Sequence, residues 1–213
     1  LRRKPVPLDL DLDGPGSPSF GPSGELWLAE YHRTCVTRVG WTQCDQLGRG
    51  TPGIRVVQRH WLCAELPEGT TTSGVAVSAD GLRLALTVQP HYALDGSGAH
   101  GILIICATTG ACLAKFLDGF DANEDEEDEM EYPSSIQWLQ GGSHAGQLAI
   151  ADYNKGRVQI RSAETGTLLR TVEVDENHCV SGVAELANDC LGVVPHSSDA
   201  VALVPPAAAE STR

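Results

Sequence analysis

The stretch Gln147-Leu-Ala-Ile-Ala-Asp-Tyr-Asn-Lys-Gly-Arg-Val-Gln-Ile-Arg161 has an earlier copy in the same chain. Leu148 and Ile150, then Val158 and Ile160, alternate with small or polar residues, the period-two pattern of half-buried strands. Asp152-Tyr-Asn-Lys-Gly156 supplies turn residues between the two runs. Upstream, Ala29, Glu30, Tyr31, Arg33 and Val36 fall on Ala151, Asp152, Tyr153, Lys155 and Val158, each 122 residues apart. A chain that repeats itself folds into repeated units, so the layout of one repeat decides the architecture.

Two further repeats are weaker. Ser73-Gly-Val-Ala-Val-Ser-Ala-Asp-Gly81 runs a short apolar strand into an Asp-Gly hairpin turn, and Leu82 to Val88 leaves it. Gly101 to Cys106 is the next strand, and Thr109-Gly110 turns into Ala111 to Phe116. The last repeat runs from Val180 through Leu191 to Val194 and then Ala200 to Val204, with Val201 falling on Val158. Each unit is thus three or four short antiparallel strands.

Units of four short strands recurring at tens of residues are the sequence sign of propeller blades, because stacking sheets around an axis buries both faces of each. An all-β fold of about four blade-like repeats, forming an incomplete or open β-propeller, is expected. A β-sandwich is the alternative; it explains the alternation but not the repeated turn chemistry. The hairpin Leu148 to Ile160 and the opening strand Ser73 to Gly81 resemble the NHL-repeat family of propellers. That resemblance implies an interaction platform, in some families joined to ubiquitin-ligase modules, although no ring-finger cysteine and histidine pattern is present.

The expected layout is an N-terminal strand and linker over 1–17, repeats over 18–205 with an acidic loop at 121–131, and a disordered tail over 206–213. Val6, Leu8, Leu10 and Leu12 alternate with Pro7 and aspartates, and Gly14 to Pro18 reads as the end of that strand. The block Asp121 to Glu131 should stay extended by self-repulsion. Its Asp121, Asn123 and Asp125 have calcium-loop spacing, but the sixth position is Glu126 rather than glycine. The absence of an initiator Met points to a piece of something longer, so remaining blades, from the same or another chain, are among the expected partners.

A formal net charge of −13 argues against nucleic-acid binding, which relies on cations displacing counterions. No apolar run is long enough to cross a bilayer as a helix. The 7 cysteines hold no C-x-x-C pair, which fits neither a disulfide framework nor a zinc site. Reduced, mostly buried cysteines in a cytoplasmic setting are expected.

The turn between the second and third strands recurs on one face of a blade array. It carries Tyr31, His32 and Arg33 in the first repeat, His91 and Tyr92 in the second, Tyr153, Asn154 and Lys155 in the third, and His196 in the fourth. Tyr and Arg combine apolar area with directed hydrogen bonds, so this rim is the candidate surface for a protein partner. The plainer reading of Asp152 and Asn154 is that they brace the turn through backbone bonds. His32, His91 and His196 could hold a metal in a hydrolase or lyase of propeller fold, the alternative function, but no carboxylate pair recurs beside them. No catalytic residues, metal ligands or cofactors are assigned, for the chain has no nucleophile-elbow and no phosphate-loop glycine pattern.

Overall fold

The computed structural model describes residues 10–42, 53–62, 64–91, 98–118, 129–174, 179–187, 190–196 and 200–205. Tyr92, Cys44, Cys63, the acidic residues 121–128, residues 1–9 and the tail 206–213 lie outside them. Among the described residues the regular elements are strands and one short 3-10 turn at Gly142–His144.

The strands form four antiparallel meanders. The first holds β1 (Pro15–Phe20), β2 (Leu26–Glu30), β3 (Cys35–Thr42) and β4 (Gly53–Trp61). The second holds β5 (Thr70–Val77), β6 (Arg83–Pro90), β7 (His100–Cys106) and β8 (Cys112–Asp118). The third holds β9 (Pro133–Trp138), β10 (Gln147–Asp152), β11 (Arg157–Ser162) and β12 (Leu168–Glu173). The fourth has three described strands, β13 (Val180–Glu185), β14 (Leu191–Pro195) and β15 (Ala202–Val204). The first strand of each meander is innermost, and β1, β5, β9 and β13 lie next to one another in that order. One parallel bridge, Ser17 to Gly74, links the first two.

Alternation of side chains then builds the core between sheets. Leu103 and Ile105 of β7 point back to Trp27 and Val36 of the first sheet. Ile102 and Ile104 of the same strand point forward to Ile136, Trp138, Leu148 and Ile150 of the third. Ala149, Val158 and Ile160 in turn meet Val183, Leu191 and Val193 of the fourth. Burying a leucine- or isoleucine-sized side chain contributes about 1.5–3 kcal/mol, so each of these joints is a substantial source of stability. Three apolar clusters serve four sheets, one per successive pair. Among the described residues no apolar cluster joins the fourth sheet to the first.

Gly14 to Pro18, read above as a strand terminator, instead holds most of β1. The axis explains the difference. A Cβ on Gly16 would lie 1.9 Å from the Ser73 carbonyl oxygen, so the innermost strand takes small residues that sequence pattern alone assigns to a turn. The end of the acidic block also differs from expectation: Met130 is buried, and the Glu129 carbonyl accepts hydrogen bonds from Arg157 and Gln159.

A 56-residue period runs through the outer parts of the first three sheets. Each fourth strand carries a bulge, and the bulged residues Val57, Leu113 and Leu169 are spaced 56 apart. Bulges on edge strands break the flat ladder that would otherwise template aggregation. The turns into these strands contain Gly110 and Gly166, at φ +74° and +73°. A Cβ there would come within 2.4 Å of the His60 ring and 2.3 Å of the Phe116 ring respectively, so each turn seats a glycine on the outer strand of the preceding sheet.

Cys35, Cys106, Cys112, Cys179 and Cys190 are all free thiols. Only Cys35 is buried; the other four are half-buried, which corrects the expectation of mostly buried cysteines. Burial pushes the Cys35 thiol up to about 12, while the hydroxyl and amide of Thr109 draw Cys106 below its usual value. Iodoacetamide is therefore expected to alkylate Cys106 well ahead of Cys35, which should react only on unfolding. Equal labelling of the two by peptide mapping would contradict these environments.

Candidate functional site

The turns after β2, β6, β10 and β14 are each tied to the entry of their own sheet by a backbone bond. Tyr31 N–H donates to Gly14 O at 2.8 Å, His91 N–H to Gly69 O at 2.7 Å, Tyr153 N–H to Tyr132 O at 3.2 Å and His196 N–H to Cys179 O at 2.6 Å. Two of the turns also grip the next sheet. The Thr71 hydroxyl donates to Tyr31 O, and Val180 N–H donates to Tyr153 O at 3.2 Å. Since every entry lies at the same end of its inner strand, all four turns share one face of the array.

Two carboxylates at matching repeat positions hold this face together. Glu30 is fully buried and accepts from Asp13 N–H at 2.9 Å, from Arg59 Nε at 3.0 Å and from the Thr37 hydroxyl. Asp152, equally buried, accepts from Glu131 N–H at 2.8 Å, Arg157 Nε at 3.0 Å and Gln159 Nε2 at 3.1 Å. Thr37 and Gln159 are themselves 122 residues apart, so the donor position repeats with the acceptor. Each carboxylate fastens the second strand of its sheet to the entry of the inner strand on one side and to the strands outside it on the other.

Against that frame the rim side chains gather in two groups. The Tyr31 ring lies 5.3 Å from His32, edge-on, and 5.1 Å from His91, stacked, with His32 and His91 5.8 Å apart. His32 and His91 border a cleft of about 450 Å³ with Leu66 and Pro67 in its lining and Glu68 and Thr70 beside them. Tyr153 and His196, from the third and fourth sheets, lie edge-on at 5.2 Å. Arg33 reaches Asp11 at 2.8 Å and Glu30 at 3.4 Å, so its charge braces the first sheet as well as facing solvent. Asn154 is exposed and donates to Glu131 at 3.0 Å; Lys155 is half-buried in the same turn.

Two rings on this face were not singled out from the sequence. Tyr132 sits at φ +58°, donates its N–H to His100 Nδ1 at 3.0 Å, and packs edge-on against that imidazole at 5.2 Å. The readable signal was position: Tyr132 immediately precedes the Pro133 that starts the third repeat, the place Gly14 takes in the first. Among the described residues no three His, Cys, Asp or Glu side chains converge as a metal ion would require.

A second cavity, of about 200 Å³, opens between the third and fourth sheets at the end of the strands opposite to the Tyr31 face, lined by Leu139, Ile160, Leu169 and Leu191 with Arg170 and Glu185. Glu185 ends its inner strand where Val77 and Trp138 end theirs, and it turns its carboxylate to the N–H groups of Gln140 and Gly141 at 2.9 and 2.8 Å. The joint is left underfilled where the other two carry an apolar side chain.

No protein-family model matches the chain, and no curated protein does. Solved structures do. Hydrazine synthase of Kuenenia stuttgartiensis superposes with a TM-score of 0.56 at 13% identity, over 95% of this chain and 48% of that one. The WD40 repeats of RRP9 superpose with a TM-score of 0.55 at 16% identity, over 86% of this chain and 45% of that one. The fold is a β-propeller. A virginiamycin B lyase from Staphylococcus aureus matches with a TM-score of 0.53 at 14% identity, over 90% of this chain and 55% of that one. The propeller described here thus spans about half the length of the structures it superposes on. At these identities the likeness concerns the fold, which catalysts and binding modules share.

Proposed function

We propose that this propeller array is a non-catalytic interaction module that binds a protein partner on the face carrying Tyr31, His32, His91, Tyr153 and His196. The observation that carries the reading is the cluster of Tyr31, His32 and His91 beside a cleft of about 450 Å³ whose lining sets Leu66 and Pro67 among polar side chains such as Thr34, Glu68 and Thr70. Rings held by packing offer contact area at little entropic cost, and a concave apolar lining with a few polar groups is how binding sites are built. Arg33, Asn154 and Lys155 complete the proposed contact surface. The repeat is NHL-like in its hairpin chemistry, which favours the same reading. An acidic chain of net charge −13 supports a protein rather than a nucleic acid as ligand, and a cytoplasmic setting fits its free thiols.

The test is the pair of substitutions Tyr31→Ala and Tyr153→Ala together. Partners captured by the wild-type chain should be released by the double variant, with a loss of about 1–4 kcal/mol of binding. Both rings are half-buried against a histidine rather than in the core, so melting should move by no more than about 1 kcal/mol. Binding that survives while stability falls would make these tyrosines supports of the fold and remove the rim as the binding face.

A further inference from the structure

The exposed apolar side chains of this molecule collect at the two ends of the array. Among the described residues 10 large hydrophobic side chains are exposed. Val57, Leu113 and Leu169 are the bulge residues of outer strands, and Leu82 lies in the turn before β6. The other six belong to the terminal blades: Phe20 and Trp61 to the first, and Leu186, Val194, Val201 and Leu203 to the fourth. Cross-strand pairing fixes which way they face. Val194 lies beside Gly182 and Leu203 beside Gly192, on the side of the fourth blade opposite to Val183, Val193 and Ala202, which pack on the third. Phe20 beside Leu26, and Trp61 beside Cys35, lie opposite to Trp27, Val36 and His60, which face the second blade.

The fourth blade also carries the polar half of a blade joint, which no described residue fills. Ser73 Oγ donates to Pro133 O of the next inner strand at 2.9 Å, and Ser134 Oγ donates to Val180 O of the next at 3.1 Å. Ser181-Gly-Val-Ala184 repeats Ser73-Gly-Val-Ala76 letter for letter. At Gly74 an added Cβ would lie 3.2 Å from Ser134 O of the neighbouring blade; at Gly182 it would meet only the Val194 side chain, at 3.5 Å. The Ser181 hydroxyl donates to Val194 O of its own blade.

We propose that the outer face of the fourth blade is a blade joint filled by the first blade of a second copy of this chain. The first blade presents the matching apolar end, with Phe20 and Trp61, and in this docking it follows the fourth blade as the second follows the first. Two copies related by a twofold make this head-to-tail contact twice and close a ring, where an unclosed contact of the same kind would grow fibres. The structures this chain superposes on are about twice as long, the size such a pair would reach. The proposal rests on the reading of the chain as a blade array with protein partners, while its residues are separate from the Tyr31 face.

Sedimentation equilibrium of the full chain at micromolar concentration should give twice 22.6 kDa. Leu203→Asp alone and Phe20→Asp alone should each sediment as a monomer with an unchanged strand circular dichroism spectrum, because both residues are exposed in the single chain. Ser181→Ala should weaken association about ten- to a hundredfold, because the contact is made twice and each loses one hydrogen bond worth about three- to tenfold. Mixing the two aspartate variants should restore association, since one contact between the wild-type Leu203 of one copy and the wild-type Phe20 of the other remains intact. A monomeric wild-type chain overturns the proposal. So does a dimer indifferent to Phe20→Asp, which would mean that fourth blades pair with each other, and so does a mixture that stays monomeric. Partner capture through Tyr31 and Tyr153 is scored on the monomeric variants, so failure of either reading leaves the other measurable.

Discussion

Replacing Glu30 with alanine is expected to lower the stability of the fold by about 3–5 kcal/mol, the usual cost of removing one partner of a buried charge pair. The change strands Arg59, the Thr37 hydroxyl and the Asp13 amide at once. Glu30→Gln resolves the charge from the shape, through its pH dependence. Burial pushes the Glu30 carboxyl up, but the Thr37 hydroxyl, the Asp13 amide and Arg59 outweigh it and hold the group below its usual range. A carboxyl with a lowered folded value contributes stability that is present above its unfolded value of about 4.3 and lost as pH falls through the folded one. The gap between wild type and Glu30→Gln in urea midpoints should therefore be wide at neutral pH and close in acid. Asp152 has the opposite sign: burial dominates over the Glu131 amide and Arg157, and its carboxyl is raised. Its protonated form is favoured by folding, so the stability it contributes is lost as pH rises through the folded value, and Asp152→Asn should cost less at neutral pH than Glu30→Gln. A Glu30→Gln gap that stayed constant into strong acid would show that shape, not charge, holds the first blade.

The repeat was legible because the second and third strands of the first and third blades carry their chemistry on consecutive residues. Ala29-Glu30-Tyr31 and Ala151-Asp152-Tyr153 stand in the same order, and in both the alanine and the acid are fully buried while the tyrosine is half-buried at the turn. What escaped was the innermost strand. Near the axis, backbone meets backbone, so Gly16, Ser17, Ser73 and Gly74 are selected for smallness rather than for strand propensity, and a small, proline-rich stretch reads as a turn. The 56-residue register was equally open to reading, since Thr109-Gly110 and Thr165-Gly166 carry it, but its meaning lies in contacts with His60 and Phe116 of other blades, which no local pattern reveals.

Of the site, the sequence supplied the rim turns but not their grouping. Tyr31, His32 and His91 come together because the connection from β4 to β5 brings Gly69 under His91, a contact between segments 22 residues apart. Arg33 is also tied to three carboxylates, Asp11 at 2.8 Å, Glu30 at 3.4 Å and Asp13 at 3.9 Å, contacts that the turn sequence alone does not reveal and that make it a brace of the first sheet besides a member of the proposed contact surface. Tyr132 holds the repeated entry position of its sheet but His100 holds none of the rim turns, and their meeting depends on the second and third blades lying side by side.

Gly16→Val is expected to be the second severe substitution. The first atoms a side chain would meet are the Ser73 carbonyl oxygen at 1.9 Å and its carbon at 2.8 Å, both backbone, so no rotamer change relieves the clash. Overpacking of this kind costs about 1–3 kcal/mol and occasionally more, and a rigid neighbour puts this position at the upper end. Because the displaced contact is the joint between the first and second blades, the loss should appear as separation of the first blade, with Trp27 exposed before Trp138. Trp27 and Trp138 can be distinguished by replacing each with phenylalanine in the Gly16→Val background and following fluorescence in urea. Gly182→Ala is the matched comparison: it also lies on an inner strand, but its added Cβ finds ordinary contact at 3.5 Å from Val194. It should leave the melting of the single chain within about 0.5 kcal/mol and weaken only the association of two copies. If Gly182→Ala unfolded the chain as Gly16→Val does, crowding at the axis would not be what distinguishes a filled joint from an open one.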